Sequence, residues 1–181
     1  SCNARDANRE AGCGDKQITI NIPNHDDPHL RIKDNGPGIT PDRMENIFLM
    51  YGNTTKGHTN DLTGGFGLGA KTPFSYSDQF TVITVTDHAG QHIKRTWLLY
   101  IDESQEGRAR LISKEEVSEP TGTEIVVKIY SYDFDKFKNA LIKATEYWKV
   151  RPHFTGMKSQ PDFPCDSQEY FFKEEKWWLP K

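Results

Sequence analysis

DNGPGITP, residues 34–41, is the stretch on which the reading of this chain turns. It follows a short run with strand character, His29–Lys33, and packs an acid, two glycines and two prolines into eight positions. Thr40 is a helix N-cap candidate and Pro41 suits the first helical position, so a helix is expected from Asp42 to Met50 with an acidic first turn. The dipeptide Asn35–Gly36 also suits a two-residue hairpin turn. Pro37 followed by Gly38, Ile39 and a helix start does not, which favours a loop whose acid and glycines have a task.

Working outward, Ser1–Ala11 is helical in composition and ends at Gly12–Cys13–Gly14. It reads as the middle of a helix, with more chain expected before Ser1. Ile18, Ile20 and Ile22 alternate in Gln17–Ile22, the period of a half-buried strand. Asn53–Gly65 is polar and rich in Gly and Thr, a long loop of the kind that is usually functional in a compact domain. GGFGLGAKTPFSYSDQF, residues 64–80, then runs from a glycine loop into a helix. Gln79–Thr86 and His92–Ile101 are strands joined by an Asp87–Gly90 turn, and Arg108–Ser113 and Thr123–Tyr130 are two more. Phe134, Phe137, Leu141, Ala144 and Trp148 are spaced as one face of an amphipathic helix that closes at Val150–Pro152. The tail beyond Gly156 changes character and reads as a linker and the first strand of a second module, giving units of 1–156 and 157–181.

Composition narrows the function classes. The 181 residues carry 23 Lys+Arg against 26 Asp+Glu, a formal net charge of -3, so a broad electrostatic grip on nucleic acid is disfavoured. No apolar run approaches the roughly 20 residues of a membrane-spanning helix, and no secretory leader opens the sequence. Cys2, Cys13 and Cys165 are odd in number and lack zinc-ligand spacing, which suits a reducing compartment. Of the six histidines, His25/His29 and His88/His92 have HxxxH spacing, but each pair spans a turn-like stretch and not a helix, so a metal site built on His is not expected. Any metal is therefore expected to be Mg²⁺ arriving with a phosphate ligand.

The second glycine loop has three readings when taken alone. Gly65–Ala70 nominally meets the dinucleotide pattern, and Gly65 through Thr72 is one glycine short of a phosphate-binding P-loop. Both patterns require an apolar strand immediately before the loop, and His58–Thr63 is polar. A turn without chemical role is the third. The loop does not stand alone, however. Asn3–Ala–Arg–Asp6–Ala7, DNGPGI, GGFGLGA and Thr121–Gly–Thr–Glu–Ile–Val–Val127 form an ordered set over residues 1–155. That set resembles the GHKL ATPase superfamily of gyrase, Hsp90, histidine kinases and MutL. Within it, residues 64–80, the closing TGTEIVV and a helix ending at Arg151–Pro152 are similar to the large bacteriophage proteins that protect against prophage-induced early lysis.

The resemblance implies the Bergerat fold, a two-layer α/β sandwich with helices on one face of a mixed, mostly antiparallel sheet. It implies ATP and Mg²⁺ as cofactors. Asp34 would accept from the adenine amine and hold an ordered water, with Thr123 adding a hydroxyl to that cluster. Gly36 and Gly38 would let the backbone approach the ring, and Ile39 would pack on it. Gly64, Gly65, Phe66, Gly67, Leu68, Gly69 and Ala70 would offer backbone N–H groups to the phosphates at a helix N-terminus. Lys56 would be the mobile cation for the same phosphates; Lys71 reads equally as a phosphate ligand or a solvated residue. Asn3 would hold Mg²⁺ through its side-chain oxygen, and Asp6 would contact water or ribose-side groups. The family's general base, a Glu four residues before the Asn, would precede Ser1, so no catalytic base is assigned.

Two functions follow from the resemblance. One is an ATP-driven clamp in which nucleotide orders the 53–65 loop and favours a homodimer of the full-length protein. The other is an ATP-sensing or scaffold module with little hydrolysis. A histidine-kinase catalytic domain is a third reading, disfavoured by the strand-and-helix extension over 121–156. The phage resemblance places the protein in the cytoplasm of an infected bacterial host, with association at the inner membrane or with host factors through other regions.

Overall fold

The protein is described by a computed structural model over residues 2–44, 69–104, 106–163, 170–173 and 178–180. The chain opens with α1 (Cys2–Glu10), then β1 (Thr19–Asn21) and β2 (His29–Lys33). Residues 41–44 are helical. A 3-10 helix (Gly69–Ser75) leads into β3 (Gln79–His88), β4 (Gln91–Ile101), β5 (Gly107–Val117) and β6 (Gly122–Lys128). After a 3-10 turn at Ser131–Asp133 come α2 (Phe134–Thr145) and β7 (His153–Thr155). Strands β8 (Tyr170–Lys173) and β9 (Trp178–Pro180) form a separate two-stranded sheet.

The main sheet has the order β5-β4-β3-β6-β2-β1-β7. Every neighbouring pair is antiparallel except β1 and β7, which run parallel. This is the mixed, mostly antiparallel sheet with helices expected from the sequence. Alternation drives the burial: Ile18, Ile20 and Ile22 are each at most 3% exposed. Across the sheet, Ile20 aligns with Ile32 and Phe154, and Leu30 with Val127, so one face carries a continuous apolar row. α1 and α2 lie on that face, where Ala4, Phe137 and Leu141 join the core cluster. The Arg5 guanidinium sits 4.9 Å from the centre of the Trp148 ring and ties α1 to the chain leaving α2.

The β3–β4 connection is a two-residue turn, with His88 opposite Gln91. Ala89 (φ 54) and Gly90 (φ 87) both adopt positive φ, the hairpin turn whose twist matches the flanking strands. Asp87 Oδ1 accepts from Gly90 N–H at 2.7 Å and closes it.

Two strands differ from the sequence expectation, and α2 ends at Thr145, short of the expected close at Val150–Pro152. β5 continues past Ser113 to Val117 through Lys114, Glu115 and Glu116, all exposed. A strand at the sheet edge needs no alternation, so composition hides it. β7 follows the expected helix end at Val150–Pro152, where the sequence marks no strand; it is a three-residue parallel addition held by His153 N–H to Ile18 C=O and Ile22 N–H to Thr155 C=O, both 2.8 Å. Beyond Gly156 the chain stays on the sheet for a few residues. Gln160 exchanges hydrogen bonds with both backbone groups of Phe154, and Phe163 joins the core.

Candidate functional site

The pairing of β2 with β6 creates the site. Lys33 stands opposite Glu124, and the ladder continues one step through Asp34 N–H to Thr123 C=O at 2.9 Å. Two motifs 89 residues apart in sequence thus meet at the ends of adjacent strands. Gly122 is required there: a Cβ on it would sit 2.5 Å from the Asp34 carbonyl oxygen.

Asp34 is 7% exposed. Its Oδ1 accepts two backbone N–H bonds, from Gly36 and from Thr123, each 2.9 Å. Its Oδ2 takes no hydrogen bond from the described residues, and Asp34 lines a cavity of about 680 Å³. Burial pushes the Asp34 carboxyl above the ordinary aspartate value; the two N–H bonds oppose the shift without cancelling it. A buried carboxylate with one oxygen satisfied and the other unmatched is an acceptor for a donor arriving through the cavity.

The cavity lies between the sheet, α1, α2 and the loop after Asp34. Val82 and Ile125 are in its sheet wall; Asn3, Ala4 and Ala7 come from α1 and Leu141 from α2; Pro37, Gly38, Ile39 and Met44 form the loop side. The loop is pressed against β3. Gly38 has φ +79, and a Cβ there would strike the Val85 carbonyl. Ile39 N–H donates to Thr84 Oγ1 at 2.7 Å, and Ile39 is 5% exposed.

The structure brings Asn3, Asp34, Gly38, Ile39 and Thr123 to one cavity. Two other expected residues, Asp6 and Gly36, are not among those that line it. Asp6 does not line the cavity; it is exposed on the flank of α1, 3.7 Å from Arg9. The i, i+3 spacing from Asn3 leaves it turned about 60° away, and Ala7, at i+4, takes the facing position. Gly36 serves α1 and not the cavity: its added Cβ would lie 2.7 Å from the Ala7 Cβ. Thr123 meets Asp34 through its backbone N–H. Gly69 and Ala70 open the 3-10 helix. Lys56, Gly64, Gly65, Phe66, Gly67 and Leu68 lie outside the described residues, as does most of the helix expected over 42–50.

Among the buried polar side chains that the sequence reading missed, two brace the loop after Asp34. Asn8, 1% exposed, accepts from Asn35 N–H at 2.7 Å and donates to Lys16 C=O at 2.9 Å. Thr84, fully buried, receives Ile39 N–H and donates to Gly122 C=O at 3.4 Å. Thr84 carried a usable signal, since it interrupts the alternating buried positions Phe80 and Val82. Asn8 follows the Asn-x-x-Asp-Ala run, where a buried amide has no sequence signature.

Among the described residues no group of three His, Cys, Asp or Glu side chains is placed to hold a metal, and no helix is long and apolar enough to cross a membrane. A Mg²⁺ ion held by Asn3 would therefore take its remaining ligands from phosphate and water, the usual coordination of Mg²⁺ at nucleotide sites. Asn3 on the cavity wall fits that arrangement.

A family model described as "Histidine kinase-, DNA gyrase B-, and HSP90-like ATPase" matches residues 2–128. No curated protein sequence matches the chain. Among solved structures, the ATPase region of Saccharomyces cerevisiae topoisomerase II is similar with a TM-score of 0.54 at 16% identity, covering 88% of this chain and 47% of that one. The ATPase and transducer domains of topoisomerase II from Balamuthia mandrillaris give a TM-score of 0.50 at 22% identity, covering 89% and 46%. The chain thus spans about half the length of either structure, and the likeness is one of fold.

Proposed function

The chain belongs to the histidine kinase-, DNA gyrase B- and HSP90-like ATPase family, and from that premise we propose that it binds ATP with Mg²⁺ in the Asp34 cavity. The observation that carries the reading is the half-satisfied carboxylate of Asp34, whose free Oδ2 matches the exocyclic amine of adenine. Ile39 would pack on the base and Asn3 would hold the metal, while the glycine-rich sequence of residues 64–70 would supply backbone N–H groups to the phosphates. Mg²⁺ would neutralise phosphate charge there; the chain's own residues bind and orient the nucleotide. Calorimetric titration with a non-hydrolysable ATP analogue and Mg²⁺ tests this directly, and a folded chain that takes up no heat of binding would remove the proposal.

Thr123 separates a structural part from a ligand-binding part. Its backbone N–H holds Asp34, and its hydroxyl has no hydrogen bond among the described residues. Thr123→Val keeps the former and deletes the latter. Nucleotide affinity is expected to fall by about tenfold, the worth of one hydrogen bond, with the melting temperature unchanged. Unaltered affinity would assign Thr123 to the fold alone.

The clamp reading extends this to the intact protein. The polar Asn53–Gly65 stretch offers little apolar surface of its own to bury, so bound nucleotide would supply the contacts that order it. Sedimentation of the full-length protein is expected to show dimer only with Mg²⁺ and the ATP analogue. A monomer under every nucleotide condition would dismiss the clamp. The narrower identification with phage early-lysis protectors rests on the sequence of residues 64–80 and of the Thr121–Val127 string, and would place this dimer in an infected bacterium.

A further inference from the structure

The Asn35 backbone is held on both sides by α1 and the turn that follows it. Asn35 N–H, in the peptide joining it to Asp34, donates to Asn8 Oδ1 at 2.7 Å. Asn35 C=O, in the peptide joining it to Gly36, accepts from the Cys13 thiol at 3.2 Å. The two anchors are themselves joined, because Cys13 N–H donates to Asn8 C=O at 2.8 Å. Asn8 is further fixed through Lys16 C=O, and the Asn35 side chain donates to Gln17 C=O at 3.0 Å. The second of these peptides carries Gly36 N–H, one of the two donors that orient Asp34 Oδ1.

We propose that Asn8, seconded by the Cys13 thiol, is a positioning residue that sets the direction of the Asp34 carboxylate and with it the selectivity for an amine-bearing purine. The inference rests on the nucleotide reading above. Its physical basis is the chain of contacts. If the two peptides on either side of Asn35 are free to rotate, Gly36 N–H no longer holds a fixed place, and Asp34 keeps only the Thr123 donor. The carboxylate can then turn about its side-chain torsions, and Oδ2 loses a defined direction for the ligand's N–H. Asn8 is 1% exposed on the helix, so its amide is not available to the nucleotide. It acts through the loop.

A residue with only a structural role would lower the affinity for all nucleotides together. A positioning role changes their ratio. ADP and IDP isolate the contact, because IDP presents a carbonyl oxygen where ADP presents the amine. Equilibrium titration of the chain with each, beside a melting curve, is the experiment. The unaltered chain is expected to favour ADP by about tenfold or more, a preference that Asn8→Ala reduces to within about threefold. Cys13→Ala is expected to lower the ratio in part, and Cys13→Ser, which keeps a donor, to restore it.

A folded Asn8→Ala chain with the original ratio overturns the proposal. Should Asn8→Ala fail to fold, an unchanged ratio in Cys13→Ala does the same, since that side chain is half-exposed and its truncation leaves the core intact. Failure of the unaltered chain to bind ADP would instead overturn the nucleotide reading itself, and this inference with it.

Discussion

Asp34→Asn is expected to abolish most nucleotide binding while leaving the free chain at least as stable as before. The loss follows from geometry: Asn keeps an oxygen for Gly36 and Thr123 N–H but replaces Oδ2 with an NH₂ group, which faces the adenine amine donor to donor. Losing a hydrogen bond to a charged acceptor costs about 1.5–3 kcal/mol, or roughly 10- to 100-fold in affinity, before any repulsion is added. The stability result follows from burial. Burial raises the Asp34 carboxyl above its ordinary value of 3.8, so the folded chain holds that proton more tightly than the unfolded chain does. The contribution of this group to stability is full below its unfolded value and is lost as pH rises through the higher folded value. Asn cannot ionise. Melting temperatures of the two proteins should therefore lie closest in acid and diverge in favour of the variant as pH rises through that window. A variant that binds ATP as tightly as the original would refute the adenine contact. One that melts earlier at neutral pH would show that the ionised carboxylate supports the fold.

The same residue shows what was legible in the sequence. Asp34, Gly38 and Thr123, which line one cavity, were legible because each belongs to a short contiguous string and the strings together carry the family resemblance. Strands with alternating burial were equally legible, as at Ile18, Ile20 and Ile22. What stayed hidden depends on contacts between segments. Gly36 and Gly38 look equivalent in the string, yet one makes room for Ala7 and the other for the Val85 carbonyl. Asp6 belongs to the family motif but faces Arg9 and solvent, because three residues on a helix are not a full turn. Asn8 and Thr84 are buried polar groups whose value lies in their partners, Asn35 and Ile39, and no local pattern marks such a pair.

Gly38→Ala is expected to be the most damaging single change in the loop, and Gly90→Ala supplies its control. Both glycines sit at similar positive φ, +79 and +87, where a Cβ costs about 1–2 kcal/mol. At Gly90 the added carbon meets nothing within 4 Å, so the strain is the whole cost. At Gly38 it strikes the Val85 carbonyl and lies 2.9 Å from Thr86 Cγ2. Val85 cannot yield, because β3 is an inner strand and Val85 is aligned with Lys94 on one side and Gly122 on the other. The loop must lift instead. Lifting breaks the Ile39 bond to Thr84, which costs about 1–3 kcal/mol for a buried donor left without a partner, and draws Ile39 and the fully buried Met44 out of the core. The strain and the lost hydrogen bond together come to roughly 2–5 kcal/mol, a large share of the 5–15 kcal/mol that holds a typical domain folded. Denaturant titration should show Gly38→Ala losing about 2 kcal/mol or more beyond Gly90→Ala. Nucleotide binding should vanish in the first and survive in the second, since the 37–39 loop is a wall of the cavity and the β3–β4 turn is not. Equal losses in the two variants would mean that the loop does not press on β3, and the account of how Ile39 reaches the base would fall with it.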